Sequence, residues 1–390
     1  MKKPVGNSKV LSIKSSPTML ISMKAAELRK NGADIISLSG GDPDFRTPDP
    51  VTDAAVRSLN AGNTHYALGT GKAALRERIA QKMTEENHIA ADPDNVIVTP
   101  GAKFAIYITL QALLDPGDEV ILVTPSWVSY EPMILAAGGK VVYLEVREED
   151  GYRLTREMLS AACTEKTKIL LLCTPCNPTG HVIGREEAET VAAFLEETGV
   201  YCIADEIYER LSFSEKTFSI GSMEKVRDQV ITIMGFSKGY AMTGWRLGWI
   251  SVPAELKKYI MTLYSHSVTC TPAFIQDAAL HAFDCYTEIE NMRRTCEMRA
   301  RHFADMLNEI DGVTAAYPDG AFYIWARFAK NDMNADDTCD HLLEKAQVTG
   351  VPGSAFGETE NRHIRFLIAR PEEELAEASI RIRKAMDTIN

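Results

Sequence analysis

From about residue 95, short β-branched apolar runs alternate with stretches whose apolar positions recur at helical spacing. The runs are "NVIVTP", "DEVILVTP", "GKVVYLEV", "KTKILLLCTP" and "GVYCIADE"; between them, "AKFAIYITLQALLD" and "REEAETVAAFLEETG" carry helical periodicity. Strands alternating with helices predict an α/β fold whose large domain has a mostly parallel central sheet flanked by helices. In such sheets ligands sit beyond the carboxyl ends of the strands. That rule sets "TPGAK", "TPSW", "TPCNPTG", "DEIY" and "GFSKG" along one rim.

After Pro253 the pattern turns helical, with "PAELKKYIMTLYSHSV" and the long charged stretch "YTEIENMRRTCEMRARHFADMLNEI", followed by strand candidates "AFYIWARF" and "HIRFLIA". Near the N-terminus, "KAAELRKNGADIISLSGGDPDF" reads as a helix and a strand. The two terminal segments together predict a smaller α/β domain, residues 1–45 and 286–390, beside a large domain, residues 46–285. No internal repeat, low-complexity tract or long linker interrupts the pattern.

The chain has 390 residues and a formal charge of −12. The charge argues against nucleic acid and anionic membranes as partners, since phosphate backbones need a local excess of Lys and Arg. No run of about 18 apolar residues predicts a membrane span. The N-terminal "MKKPVGNSKVLSIKSS" is basic and serine-rich, but it has no arginine before Arg29 and no apolar core of signal-peptide type. Eight scattered cysteines favour a reducing compartment over a disulfide framework. Cys173 and Cys176 form a C-x-x-C with no second pair to complete a metal site, so their expected role is structural, no metal is predicted, and the cytoplasm is the expected location.

The rim segments carry the candidate chemistry. Gly101, Ala102 and Lys103 stand between a strand and a helix, where unpaired backbone N–H groups attract an anion such as phosphate. "GTGKAALR" at residues 69–76 matches neither G-x-G-x-x-G nor G-x-x-x-x-G-K-[ST]. Asp205, Glu206 and Tyr208 end an apolar strand; a carboxylate there can face a cationic ring nitrogen, or simply cap the next turn. Asn177 lies in a turn, "CNPTG". Trp127 can stack on a planar ligand or belong to a core. Arg365 interrupts apolar residues and can grip a carboxylate bidentately or serve a structural ion pair. Lys238, in "GFSKGYAMTGWRLGW", is a surface cation or, if desolvated, an amine able to attack carbonyls; Arg246 follows eight residues on.

In this order, "SSPTMLISMKAAELRKNGADIISLSGGDPDFRTP", "HYALGTGKAALR", "TPGAKFAIY", "DPGDEVILVTPSWVSY", "CNPTG", "ADEIYERL", "GFSKGYAMTGWRLGW", "PGSAFG" and "HIRFLIA" resemble the pyridoxal-phosphate-dependent aminotransferases of fold type I, class I, the aspartate aminotransferase group. The resemblance covers nearly the whole chain. It implies a ping-pong enzyme that moves an amino group between an L-amino acid and a 2-oxo acid through a Schiff base on Lys238. It implies that Asp205 keeps the pyridine nitrogen protonated, that Asn177 and Tyr208 hydrogen-bond the phenolic oxygen, and that Trp127 stacks on the ring. Ser237, Arg246 and the backbone of Gly101, Ala102 and Lys103 become phosphate ligands. Tyr66 would reach the phosphate from a neighbouring subunit, which implies a homodimer with shared sites. Arg365, with Asn177 and Gly41 nearby, would clamp the substrate α-carboxylate, and Lys103 would favour an acidic side chain, aspartate or glutamate. Cys176 stands where serine is common, and "RFLIAR" adds Arg370 without an evident role. The same residues also suit a β-lyase acting on cysteine conjugates or cystathionine, and the fold alone would suit a non-catalytic ligand-binding regulatory protein.

Overall fold

A computed structural model describes residues 6–11, 13–214, 217–330, 332–357 and 361–389, so the opening Met-Lys-Lys of the basic N-terminal segment lies outside it. Strand β1 (Ile36–Ser37) precedes the strands of the central sheet: β2 (Val96–Thr99), β3 (Glu119–Thr124), β4 (Lys140–Glu145), β5 (Thr167–Cys173), β6 (Tyr201–Asp205), β7 (Val230–Gly235) and β8 (Gly248–Ser251). Their spatial order is β2-β8-β7-β6-β5-β3-β4. All pairs from β7 to β4 are parallel, as the alternating pattern predicts; β8 runs antiparallel to both β2 and β7.

Side chains alternate across each strand, so one apolar run feeds two cores. Ile169 and Leu171 of β5 join Ile203 of β6 and Ile231 and Ile233 of β7 against the helix Ala102–Leu113. Leu170 and Leu172, with Cys202 and Ala204, face the opposite way, onto Val191 and Leu195 of the helix Arg185–Thr198. Coverage on both faces explains why these runs read as continuous rather than alternating hydrophobics. Parity also sets the chemistry, because Asp205 points the same way as Ile203, toward the helix Ala102–Leu113, and Glu206 points away from it.

A four-stranded antiparallel sheet is built from the C-terminal part of the chain, in the order β12 (Val351–Pro352), β13 (His363–Leu367), β10 (Tyr323–Phe328), β9 (Val313–Ala315). Between β10 and β12 in the chain, β11 (Val348–Thr349) pairs in parallel with β1. The Leu367 amide donates to the Leu38 carbonyl, so the segment after β1 is tied to the strand that carries Arg365. Helix Tyr286–Asn308 packs on this sheet through Phe303, whose ring stands edge-on to Phe366. Arg370 pairs with Glu374 in the first turn of the helix Glu372–Met386. No described helix is long and apolar enough to cross a membrane.

A buried ionic cluster braces the back of the rim. Lys82, fully buried on the helix Ala73–Asn87, lies 2.7 Å from Glu209 and donates to Asn87 Oδ1. Arg210 pairs with Glu86 and Glu209 and donates to the Tyr240 hydroxyl. The backbone of Gly239 runs so close to Arg210 that a side chain at this position would collide with it. Burial by itself would raise the Glu209 carboxyl, but the charges of Lys82 and Arg210 outweigh it and hold its pKa below the usual range. Removing one partner of a buried pair strands the other charge. Lys82→Ala is therefore expected to cost about 3–5 kcal/mol in urea unfolding, whereas Lys24→Ala, which breaks an exposed pair with Asp340, should cost less than about 1 kcal/mol. Equal effects would contradict this account of the cluster.

Candidate active site

The carboxyl ends of β5, β6 and β7 open into a cavity of about 450 Å³, closed on its far side by β10, β13 and the segment after β1. Of the residues that the sequence assigns to the site, all line it except Gly101, which stands behind Arg246, and Tyr66, which is 87% exposed and away from the cavity. Lys238 follows β7. Its Nζ donates to the Gly41 carbonyl and lies 5.5 Å from the centre of the Phe322 ring and 6.0 Å from that of Tyr208. Burial pulls the amine down to about 8; Asp42 opposes the shift, and the cations Arg365, Arg246 and Lys103 add to it. A lysine in that range has a substantial uncharged, nucleophilic fraction near neutral pH.

Asp205 ends β6 and is pushed up to about 6 by burial, against hydrogen bonds donated by the Tyr130 hydroxyl at 2.7 Å and the Ile207 amide at 3.1 Å, and against Lys238. A carboxyl so desolvated gains most from a cationic partner at the same depth. Tyr208 lies three residues beyond Asp205, just past the end of the strand. It is buried beside Tyr323, and the two hydroxyls are 3.1 Å apart.

Three further cations converge on the cavity. Arg365, 2% exposed on β13, donates to the Asn177 side-chain oxygen at 2.8 Å and to the Ser39 and Gly40 carbonyls, while its Nε has no partner. Its guanidinium lies 4.2 Å from the centre of the Tyr323 ring. Arg246 adopts a left-handed conformation and donates to the Thr243 and Pro100 carbonyls. A Cβ on Gly101 would come within 2.6 Å of its Nη2, so only glycine leaves room for the cation against the start of the helix Ala102–Leu113. Lys103 Nζ lies 4.7 Å from the centre of the Trp127 ring, its pKa lowered by burial and then by Arg246. These cations take carbonyl oxygens or an aromatic face where a structural pair would take a carboxylate, which leaves their charge for ligands.

Several lining residues carry no mark in the sequence, Tyr130, Tyr323, Ser39 and Gly40 among them. Tyr130 belongs to "TPSWVSYEP", three residues beyond Trp127, and that spacing is the available signal. Cys173 and Cys176 are both free, as are the other cysteines. Among the described residues no group of three or more His, Cys, Asp or Glu is arranged to hold a metal ion.

The residues fit pyridoxal phosphate: a desolvated amine, a buried carboxylate for a ring nitrogen, and a cation beside a helix N-terminus for a phosphate. The family model for aminotransferase class I and II matches residues 33–382. The chain is 38% identical to the probable aspartate/prephenate aminotransferase of Aquifex aeolicus, over 98% of both chains. It is also 38% identical to the aspartate aminotransferase of Bacillus subtilis, over 97% of this chain and 98% of that one. The solved aspartate aminotransferase of Thermus thermophilus with maleate superposes with a TM-score of 0.93 at 36% identity, covering 98% of this chain and 100% of that one. The chain belongs to the class I and II aminotransferases and is a pyridoxal-phosphate-dependent transaminase.

Proposed function

We propose that the enzyme transfers the amino group of an acidic amino acid, aspartate or glutamate, to a 2-oxo acid such as 2-oxoglutarate by a ping-pong mechanism. The observation that carries this reading is the pair of cations on the cavity wall, Arg365 and Lys103, neither of them neutralised by a carboxylate among the described residues. Arg365 holds the α-carboxylate and Lys103 receives the distal one. The Thermus relative was solved with maleate, a dicarboxylate, which supports two carboxylate positions.

Bound here, pyridoxal phosphate supplies a carbonyl that condenses with amines and a ring that accepts electrons from the substrate Cα. Ser237, Arg246 and the backbone N–H groups of Gly101, Ala102 and Lys103 hold its phosphate; Trp127 covers its ring; Asp205 keeps its ring nitrogen protonated. Asn177 and Tyr208 hydrogen-bond its phenolic oxygen. Lys238 Nζ would hold the cofactor through its carbonyl carbon until the substrate amine displaces it, and the freed amine would then take the proton from the substrate Cα. Arg365, with Asn177 and Gly41, fixes Cα in position for that transfer. Tyr66 completes the phosphate site of a second copy, making a homodimer; its exposure in the single chain supports that role. Residues 46–285 form the cofactor domain, and residues 1–45 and 286–390 close over the substrate. Eight free cysteines support a cytoplasmic location.

Half-reactions of the holoenzyme with single amino acids, followed by absorbance, test the substrate. Lys103→Ala is expected to lower kcat/KM for aspartate and glutamate by about 10- to 100-fold, the worth of one charged hydrogen bond, and to leave alanine nearly unchanged. Arg365→Gln should weaken all of them. An equal loss for acidic and neutral amino acids in Lys103→Ala would remove the acidic reading.

The lowered pKa of Lys238 also sets how the apoenzyme takes up cofactor. Only the uncharged amine attacks, and its fraction grows as pH rises through about 8. Reconstitution by pyridoxal phosphate should therefore speed up between about pH 7 and 9 and level off above it. A rate still climbing about tenfold per pH unit between about pH 8 and 9 would show an unperturbed lysine.

A further inference from the structure

We infer that Tyr323 is a positioning residue for the transamination chemistry, donating its hydroxyl proton to Tyr208 and so strengthening Tyr208 as a donor. The inference rests on the reading of Tyr208 given above. Tyr323 is 1% exposed on β10, lines the cavity, and has its hydroxyl 3.1 Å from that of Tyr208. The two rings meet edge to face, centres 6.0 Å apart, and Phe322 packs against both. The contact joins the two sheets, because Tyr208 follows β6 and Tyr323 belongs to β10.

A phenol has one proton to donate. When Tyr208 gives its proton to the cofactor oxygen, the hydrogen bond between the tyrosines requires Tyr323 as the donor. The Arg365 guanidinium, 4.2 Å from the centre of the Tyr323 ring, favours the same direction, since a nearby cation makes a phenol more acidic. Burial keeps both phenols protonated, with Arg365 pulling each of them back down. Hydrogen bonds in series polarise one another. A stronger donor at the cofactor oxygen stabilises negative charge there, so the Lys238 nitrogen in the holoenzyme loses its proton at lower pH. Space is tight, as a Cβ on Gly41 would come within 2.9 Å of the Tyr323 hydroxyl and 3.7 Å of Lys238 Nζ.

The test is a pH titration of the visible absorption of substrate-free holoenzyme, which reports protonation at Lys238 independently of turnover. Tyr323→Phe, which removes one oxygen, is expected to raise that pKa by about 0.5 to 1, the scale of a single neutral hydrogen bond. Tyr208→Phe should raise it further, and adding Tyr323→Phe to that variant should have no additional effect. If Tyr208→Phe shifts the titration and Tyr323→Phe does not, or if the two shifts simply add, the inference is overturned while the reading of Tyr208 stands. If neither variant shifts it, the reading of Tyr208 fails and the inference with it.

Discussion

The burial of Lys238 among cations is the constraint on which the rest of the site depends. A desolvated ammonium is costly, and Arg365, Arg246 and Lys103 make it costlier, so the amine is held near the point of losing its proton. The same crowding gives the cavity an affinity for anions. A phosphate beside Arg246 and a carboxylate beside Arg365 would each relieve the repulsion, so ligand binding and the basicity of the lysine draw on one electrostatic field. Asp205 works in the opposite sense: its buried carboxyl lacks a cation in direct contact among the described residues and would gain one from a protonated ring.

Strand geometry supplies the rigid frame. The parity of β6 sends Asp205 toward Tyr130 and the cavity, and sends Glu206 to the other face, where Ser219 donates to it. A slip of one residue would exchange those two carboxylates. The lysine loop is fixed from behind by Lys82, Glu209, Arg210 and Tyr240, and Arg365 is fixed by the carbonyls of the segment after β1. Both halves of the site are thus held by backbone or buried charge, the condition for a preorganised geometry.

Much of this is legible from the chain. The parallel strands declare themselves because two-sided burial makes them continuous apolar runs, and the rim motifs follow from their ends. The antiparallel β8 is less legible, since "GWIS" is only four residues long and follows closely on the Arg246 turn. Lys238, Asp205 and Arg365 stand out as polar interruptions of apolar sequence. Tyr130 and Tyr323 do not, because a buried tyrosine in an apolar run looks like any other core aromatic until its hydroxyl finds a partner. Arg370, without an evident role in the sequence, is a helix-surface ion pair with Glu374. Tyr66 stands exposed outside the cavity of its own chain, so nothing around it in one copy reveals the phosphate contact proposed for it in a second.

We propose that Lys238 carries the cofactor. It is tested most directly by treating holoenzyme with borohydride, digesting it and locating the reduced cofactor by peptide mass. One modified peptide, containing Lys238, is expected, and none in Lys238→Ala. A colourless protein in excess pyridoxal phosphate, or a label on any other lysine, would contradict it.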